Sequence, residues 1–294
     1  MKNIAFLFCS NYFDKNQPDE DYQEEYNCVK KMGKEILLFS LDGFLEKNIV
    51  DIRITNEPTT LIYRGWMLTY DEYTALYQAL LSKGFTLINS PEQYRQCHYL
   101  PFWYDLLKNN TPNSLWTKNI PKDEEILQLL KKFGTKPLIV KDYVKSRKHE
   151  WSEACFIPNP AELSAALQVV STFIARQAAN LVGGVVLREY VSLNLLGNHE
   201  KSDMPIAKEV RIFCFRHKPF AYIQYWSGAE AFDINDYQEL INQCALLDNN
   251  FYTIDLAQTI DNQWIIMEVG DGQVSGLQEY DPALFYEKLF ELLS

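Results

Sequence analysis

The sequence predicts a small α/β domain followed by a larger α+β domain with an antiparallel sheet. Three observations carry this reading. The first ninety residues alternate strand and helix patterns, which implies a parallel sheet covered by helices. From Gly183 onward strand patterns dominate. Hydrophobic residues make up 47% of the 294 and aromatics 14%, ample for a folded core.

The elements follow in order. Ile4 to Cys9 is a short apolar run that reads as a first strand and not as a signal peptide, since Ser10-Asn11-Tyr12 follows at once. Asp19 to Met32 reads as a helix closed by Gly33. Glu35 to Phe39 and Leu61 to Tyr63 are strands. Asp71 to Lys83 carries an apolar stripe and stops at Gly84, and Phe85 to Ile88 is a fourth strand. Pro91 to Lys108 is an aromatic helical stretch interrupted at Pro101. Lys122 to Phe133 is amphipathic, Pro137 to Val144 and Ala154 to Ile157 read as strands, and Asn159-Pro160 opens a helix to about Ala179. Beyond it, Val185 to Val191, Glu209 to Arg216, Phe220 to Trp226, Phe251 to Thr259 and Trp264 to Val269 are strands. Residues 192–205 read as a loop, and Asp236 to Leu247 and Pro282 to Leu293 as helices.

Several function classes are disfavoured. The net charge of −11 gives no general electrostatic help toward nucleic acid or anionic membrane. No stretch approaches the roughly 18 apolar residues of a membrane span. Six scattered cysteines without a CxxC pair read as reduced thiols of a cytoplasmic protein, and four scattered histidines argue against zinc.

A metal site emerges from strand geometry. A tight turn symmetric about Asp261 and Asn262 puts Asp255 directly opposite Glu268 on one sheet face, with Cβ atoms about 4.5–5.5 Å apart. Like charges placed so require that one be protonated or that a cation sit between them. Magnesium favours such oxygen ligands. The alternative is a pair that points to solvent, or a bulge that breaks the register. Gly270-Asp271-Gly272-Gln273 follows directly and lets backbone approach a ligand closely, with Asp271 a third carboxylate.

Basic residues should converge on a bound phosphate. Lys141 sits inside an apolar strand, which is costly unless the charge is paired or functional. Lys145-Ser146-Arg147-Lys148-His149 is the densest basic run, either a solvated loop or a mobile lid over phosphates. Arg211 and Arg188 lie within strands, with Glu209 a ready ion partner for Arg211. Arg64 ends an apolar strand, where ligands usually bind in open α/β sheets.

Together, Tyr63-Arg64-Gly65-Trp66-Met67, Lys141 with the loop to Trp151, Leu187 to Val191, Glu209 to Phe213 and Ile266 to Leu277 resemble the ATP-grasp superfamily, and within it the clade named for two arginines and a lysine. The resemblance implies an N-terminal α/β domain (1–110) preceding the ATP-grasp fold, whose small subdomain (111–182) and large subdomain (183–294) clasp ATP. It implies that Lys118 and Lys141, with Lys145 and Ser146, meet phosphates, and that Glu189, Tyr190 and Val191 lie beside adenine. It makes Asp255 and Glu268 metal ligands. The usual Asn two residues after the Glu is Gly270 here, leaving Asp271 as candidate third ligand, and the phosphate loop lacks glycine from Val144 to Glu150. The implied chemistry is ATP-dependent, magnesium-assisted ligation of a small-molecule or peptide carboxylate to an amine through an acyl phosphate, releasing ADP and phosphate. Arg211 and Arg188 would stabilise charge, and Arg64 would grip the acceptor. A phosphotransferase, or a non-catalytic nucleotide-binding module, would use the same residues.

Overall fold

The computed structural model describes residues 3–198, 205–224 and 233–293. The chain opens with β1 (Asn3–Cys9), α1 (Gln23–Lys31), β2 (Ile36–Phe39), α2 (Leu41–Lys47), β3 (Thr59–Arg64), α3 (Tyr70–Leu81) and β4 (Phe85–Leu87). The strands form one parallel sheet in the order β2-β1-β3-β4, as the alternation predicts. The unexpected element, α2, is seven residues long and buries only Phe44, so it has no apolar stripe to read. A capping box of Thr69 and Glu72 opens α3, and Gly84 ends that segment at φ +90° beside the Thr55 carbonyl.

α4 (Pro91–His98) and α5 (Leu100–Leu107) are the aromatic helical stretch. Pro101 lies in the first turn of α5, where a missing N–H removes no helical bond, and Tyr99 between the helices is extended.

A second sheet is built from β5 (Ser114–Trp116), α6 (Asp123–Lys131), β6 (Leu138–Lys141), α7 (Trp151–Ala154), β7 (Phe156–Ile157), α8 (Leu163–Gln177) and β8 (Val186–Glu189), with strand order β5-β8-β6-β7. β8, which follows the boundary expected at 182, is hydrogen-bonded between β5 and β6 and so belongs to this smaller sheet. The long helix starts later than expected. Asn159 does not cap it; its side chain instead accepts from Ala161 N at 3.1 Å and closes a preceding turn.

β9 (Leu195–Asn198) and β10 (Pro205–Ala207) pair as a hairpin within the stretch expected as a loop. Residues 199–204, and 225–226 at the end of the expected strand Phe220 to Trp226, lie outside the described residues. The third sheet comprises β11 (Glu209–Phe215), β12 (Lys218–Gln224), β13 (Phe251–Gln258) and β14 (Trp264–Asp271), in the antiparallel order β12-β11-β13-β14. α9 (Gln238–Cys244) and α10 (Pro282–Leu293) complete the chain.

The first domain is packed onto this third sheet. Phe6, Phe8 and Ile62 share a buried cluster with Phe213, Phe251, Phe285 and Tyr286. Polar ties reinforce it: Asn89 Nδ2 donates to Asp271 Oδ2 at 2.6 Å and to the Phe251 carbonyl at 2.7 Å. Among the described residues no helix is long and apolar enough to cross a membrane. All six cysteines are free, and all but Cys28 are buried.

Candidate active site

The β13–β14 hairpin carries Asp255 opposite Glu268, as the sequence predicts, but by a different route. The turn has three residues, Ile260 to Asn262. Asn262 is left-handed at φ 61° and its N–H donates to the Thr259 carbonyl at 2.9 Å. That turn alone pairs Leu256 with Ile266, one residue out of the symmetric register. Met267 is then bulged out, and the bulge restores Asp255 against Glu268. Arg188 on β8 holds this bulge: its Nη2 donates to the Met267 carbonyl at 2.8 Å and to Thr111 Oγ1 at 2.9 Å. Thr111 Oγ1 in turn donates to the Ile266 carbonyl at 2.8 Å. Arg188 Nη1 is buried without a hydrogen-bond partner among the described residues.

Arg211, Asp255 and Glu268 stand in a row across β11, β13 and β14. Arg211 grips Asp255 with both arms of its fork, Nε to Oδ1 at 2.9 Å and Nη2 to Oδ2 at 2.8 Å. Lys141, reaching over from β6 of the smaller sheet, donates to Glu268 Oε1 at 3.2 Å. The facing carboxylates are therefore tolerated because each has its own cation, an arrangement outside the two explanations that strand pairing suggests. Desolvation disfavours an ionised Glu268, but Lys141, with Lys148 and Arg188 beyond it, outweighs that and holds the group below the usual carboxylate range. Glu209 makes no ion pair with Arg211; it faces the same side of the sheet two residues earlier, and burial raises its pKa.

Two expected members are elsewhere. Strand alternation turns Asp271 to the opposite face from Glu268. There it is fully buried and bound by Asn89 and by the Gln273 backbone N–H at 2.9 Å. It ties domains together and is not part of the carboxylate row. Gly270 does face the row, but a Cβ there would lie 2.7 Å from Thr253 Oγ1 and 3.1 Å from Ser275 Oγ, so those hydroxyls occupy the space an amide ligand needs. Arg64 is also committed: completely buried, it bonds both Glu25 oxygens at 2.8 and 2.9 Å and the carbonyls of Gly272, Gln273 and Ser275. No donor edge is left to grip an acceptor.

Burial pushes the Asp271 carboxyl from 3.8 up to about 6, against the hydrogen bonds of Asn89 and Gln273. The folded chain therefore holds this proton more tightly than the unfolded chain. The stabilisation is complete below the unfolded value and is lost as pH rises through about 6. In urea denaturation, the stability of the wild type relative to Asp271→Asn should fall between pH 4 and 7; a flat difference would show an ordinary carboxylate.

The remaining candidates border the row. The turn after Lys141 is pinned by buried Asp142, whose Oδ1 accepts from Val144 N and Lys145 N at 2.7 and 2.6 Å. This is an ordered turn, not a loose lid. Lys145 and Lys148 are exposed, Ser146 bridges back to Lys141, and Arg147 is taken by Glu150. Lys118 is exposed in a depression lined by Lys122, Glu124 and Gln128 and by none of the other candidates. Glu189 pairs with Lys136 at 2.8 Å. Tyr190, just before Val191, meets Phe156 at 5.1 Å, and Phe156 stacks on Trp151 at 4.9 Å. Trp151 and Tyr190 are partly exposed, so three segments converge on an open aromatic face. Phe156 went unnoticed because a lone aromatic in a two-residue strand has no periodic signal. Two facing carboxylates beside basic groups suit a cation that keeps waters and phosphate oxygens, as magnesium does. Among the described residues no three His, Cys, Asp or Glu side chains could enclose a metal by themselves.

The sequence model of the ATP-grasp domain, R2K clade family 3, matches residues 132–289. Solved structures resemble the whole chain. The D-cycloserine synthetase DcsG is 15% identical with a TM-score of 0.62, covering 99% of each chain. The D-alanine–D-alanine ligase from Bacillus anthracis, complexed with ATP, is 16% identical with a TM-score of 0.57, covering 100% of this chain and 98% of its own. The ATP-grasp ligase PsnB, complexed with a phosphomimetic variant of minimal precursor, Mg and ADP, is 14% identical with a TM-score of 0.57, covering 100% and 99%. At these identities the likeness is one of fold. No curated protein matches the chain.

Proposed function

The chain belongs to the ATP-grasp R2K clade, family 3, and from that membership we propose that it is an ATP-dependent ligase joining a carboxylate to an amine. The observation that carries the proposal is the row Arg211–Asp255–Glu268–Lys141, two acceptors for a divalent cation flanked by two cations suited to phosphate. Asp255 and Glu268 would hold magnesium, which supplies positive charge where the β- and γ-phosphates of ATP meet. Lys141 and Arg211, released from the carboxylates, turn to phosphate oxygens; Lys145 and Lys148 add charge at the rim. The Trp151–Phe156–Tyr190 face, next to the peptide of Tyr190 and Val191, offers adenine an apolar wall.

In the reaction, a carboxylate oxygen of the acid attacks the γ-phosphorus and the bond to the bridging oxygen breaks, releasing ADP. The amine then attacks the acyl carbon, phosphate leaves, and the amine loses a proton. Both transition states are anionic, which is the charge this row is built to meet.

The test uses ATP, magnesium and a panel of carboxylic acids, with hydroxylamine as a general amine. ADP, free phosphate and a hydroxamate should appear together, and only when both acid and amine are present. A phosphorylated acid that outlasts amine addition would make the protein a phosphotransferase, and ATP binding without turnover of any acid would leave only a nucleotide-binding module.

A further inference from the structure

Arg95 on α4 carries a charge that no anionic or hydrogen-bonding group among the described residues meets. Its guanidinium makes no hydrogen bond or ion pair there, and its Nε is buried without a partner. Its contacts are aromatic: Cζ lies 4.4 Å from the ring centre of Tyr70 and 4.5 Å from that of Phe102. Glu92, one helical turn earlier, is the natural counter-ion. It accepts instead from Ser90 Oγ at 3.2 Å and from the Tyr70 hydroxyl at 3.4 Å. A guanidinium cannot shed its proton to relieve the cost, and buried donors without acceptors are rare in folded proteins. The two rings flank the guanidinium, and its Nη1–Nη2 edge suits a planar, bidentate anion.

The position relates this group to the phosphate row. α4 packs on β14. Leu100 N donates to the Tyr143 carbonyl at 3.0 Å, and the Tyr99 ring meets both Phe102 at 6.3 Å and Tyr143 at 6.2 Å. Arg95 thus lies where the first domain meets the turn after Lys141. Arg95 is half-buried, and of its nitrogens only Nε is closed off without a partner, which leaves Nη1 and Nη2 open to solvent.

We infer that Arg95 is a carboxylate-binding residue that holds a second acidic group of the acid substrate, apart from the carboxylate that is phosphorylated. The reacting carboxylate belongs at the Arg211–Lys141 row, of which Arg95 is not a member. The acid is therefore expected to carry at least two carboxylates. This rests on the ligase reading for the identity of the bound molecule; the anion site itself does not.

Two measurements test it. First, the whole protein, labelled with 13C and 15N in arginine and saturated with magnesium and AMP-PNP, is titrated with acetate at constant ionic strength. The Arg95 side-chain signal is assigned by its loss in Arg95→Lys. It should shift saturably, with half-saturation on the order of 10 mM, and chloride should leave it in place. No saturable shift, an equal response to chloride, or a shift produced by AMP-PNP alone would overturn the inference. Second, in the hydroxamate assay, Arg95→Lys should raise KM for a dicarboxylic acid about tenfold or more while leaving KM for ATP unchanged. Half-amides of the same acids should be poor substrates for the wild type. Equal use of acid and half-amide would overturn it. If no acid turns over, the ligase reading fails and the acetate titration still decides Arg95.

Discussion

Glu268→Gln should lower ATP turnover by about 10²–10³-fold, the typical loss when one electrostatic contact to a transition state is removed, and should leave the fold intact. The side chain is 44% exposed and bonds to Lys141, so little packing depends on its charge. Glutamine keeps the shape and can still accept from Lys141. What it removes is one of the two negative charges that face each other across β13 and β14. The loss should therefore appear in turnover, with stability changed by less than about 1 kcal/mol. ADP release measured alongside thermal unfolding separates the two. Undiminished turnover would remove Glu268 from the metal site. Asp255→Asn is the less clean probe, because it also breaks the bidentate pair with Arg211.

Arg64→Met should destabilise the protein by about 3–5 kcal/mol, the range for removing one partner of a buried ion pair. Arg64 is wholly buried and ties β3 to Glu25 on α1 and to three carbonyls of the loop after β14. Removing it strands the Glu25 carboxylate, which among the described residues then keeps only the Tyr286 hydroxyl, at 2.6 Å. It also leaves the carbonyls of Gly272, Gln273 and Ser275 without their shared donor. Arg64→Lys should rescue little, since one ammonium cannot serve a bidentate carboxylate and three carbonyls together. Urea denaturation of the three proteins reads this directly. Unchanged stability with a raised KM for the acceptor would return Arg64 to the substrate-binding role that its sequence position suggested.

The contrast between Arg64 and Arg211 shows where sequence reading stops. Both are single arginines in apolar strands, and both mark a place where burial demands an anion. Their surroundings in the chain do not say which anion. Arg211 finds a carboxylate on the adjacent strand, beside Glu268 and Lys141, whereas Arg64 finds Glu25, which lies 39 positions away on a helix. Arg95 carries no signal of its own within the aromatic helical stretch; its setting between Tyr70 and Phe102 is made by packing.

The sequence by itself determined the order of elements, the parallel first sheet and the antiparallel last one. Periodicity and turn residues are local, and local signals survive without coordinates. It also suggested that Asp255 and Glu268 face each other, since hairpin partners are close in the chain, but through a symmetric turn that does not form. Only the tertiary structure decided what becomes of those charges. A three-residue turn and a compensating bulge at Met267, held by Arg188 from another sheet, set the register. Lys141, 127 positions from Glu268, supplies its counter-charge. Strand alternation sends Asp271 to the opposite face, where Asn89 claims it. Each of these depends on contacts between distant segments, which hydrophobic patterning brings together without specifying which polar atoms will meet.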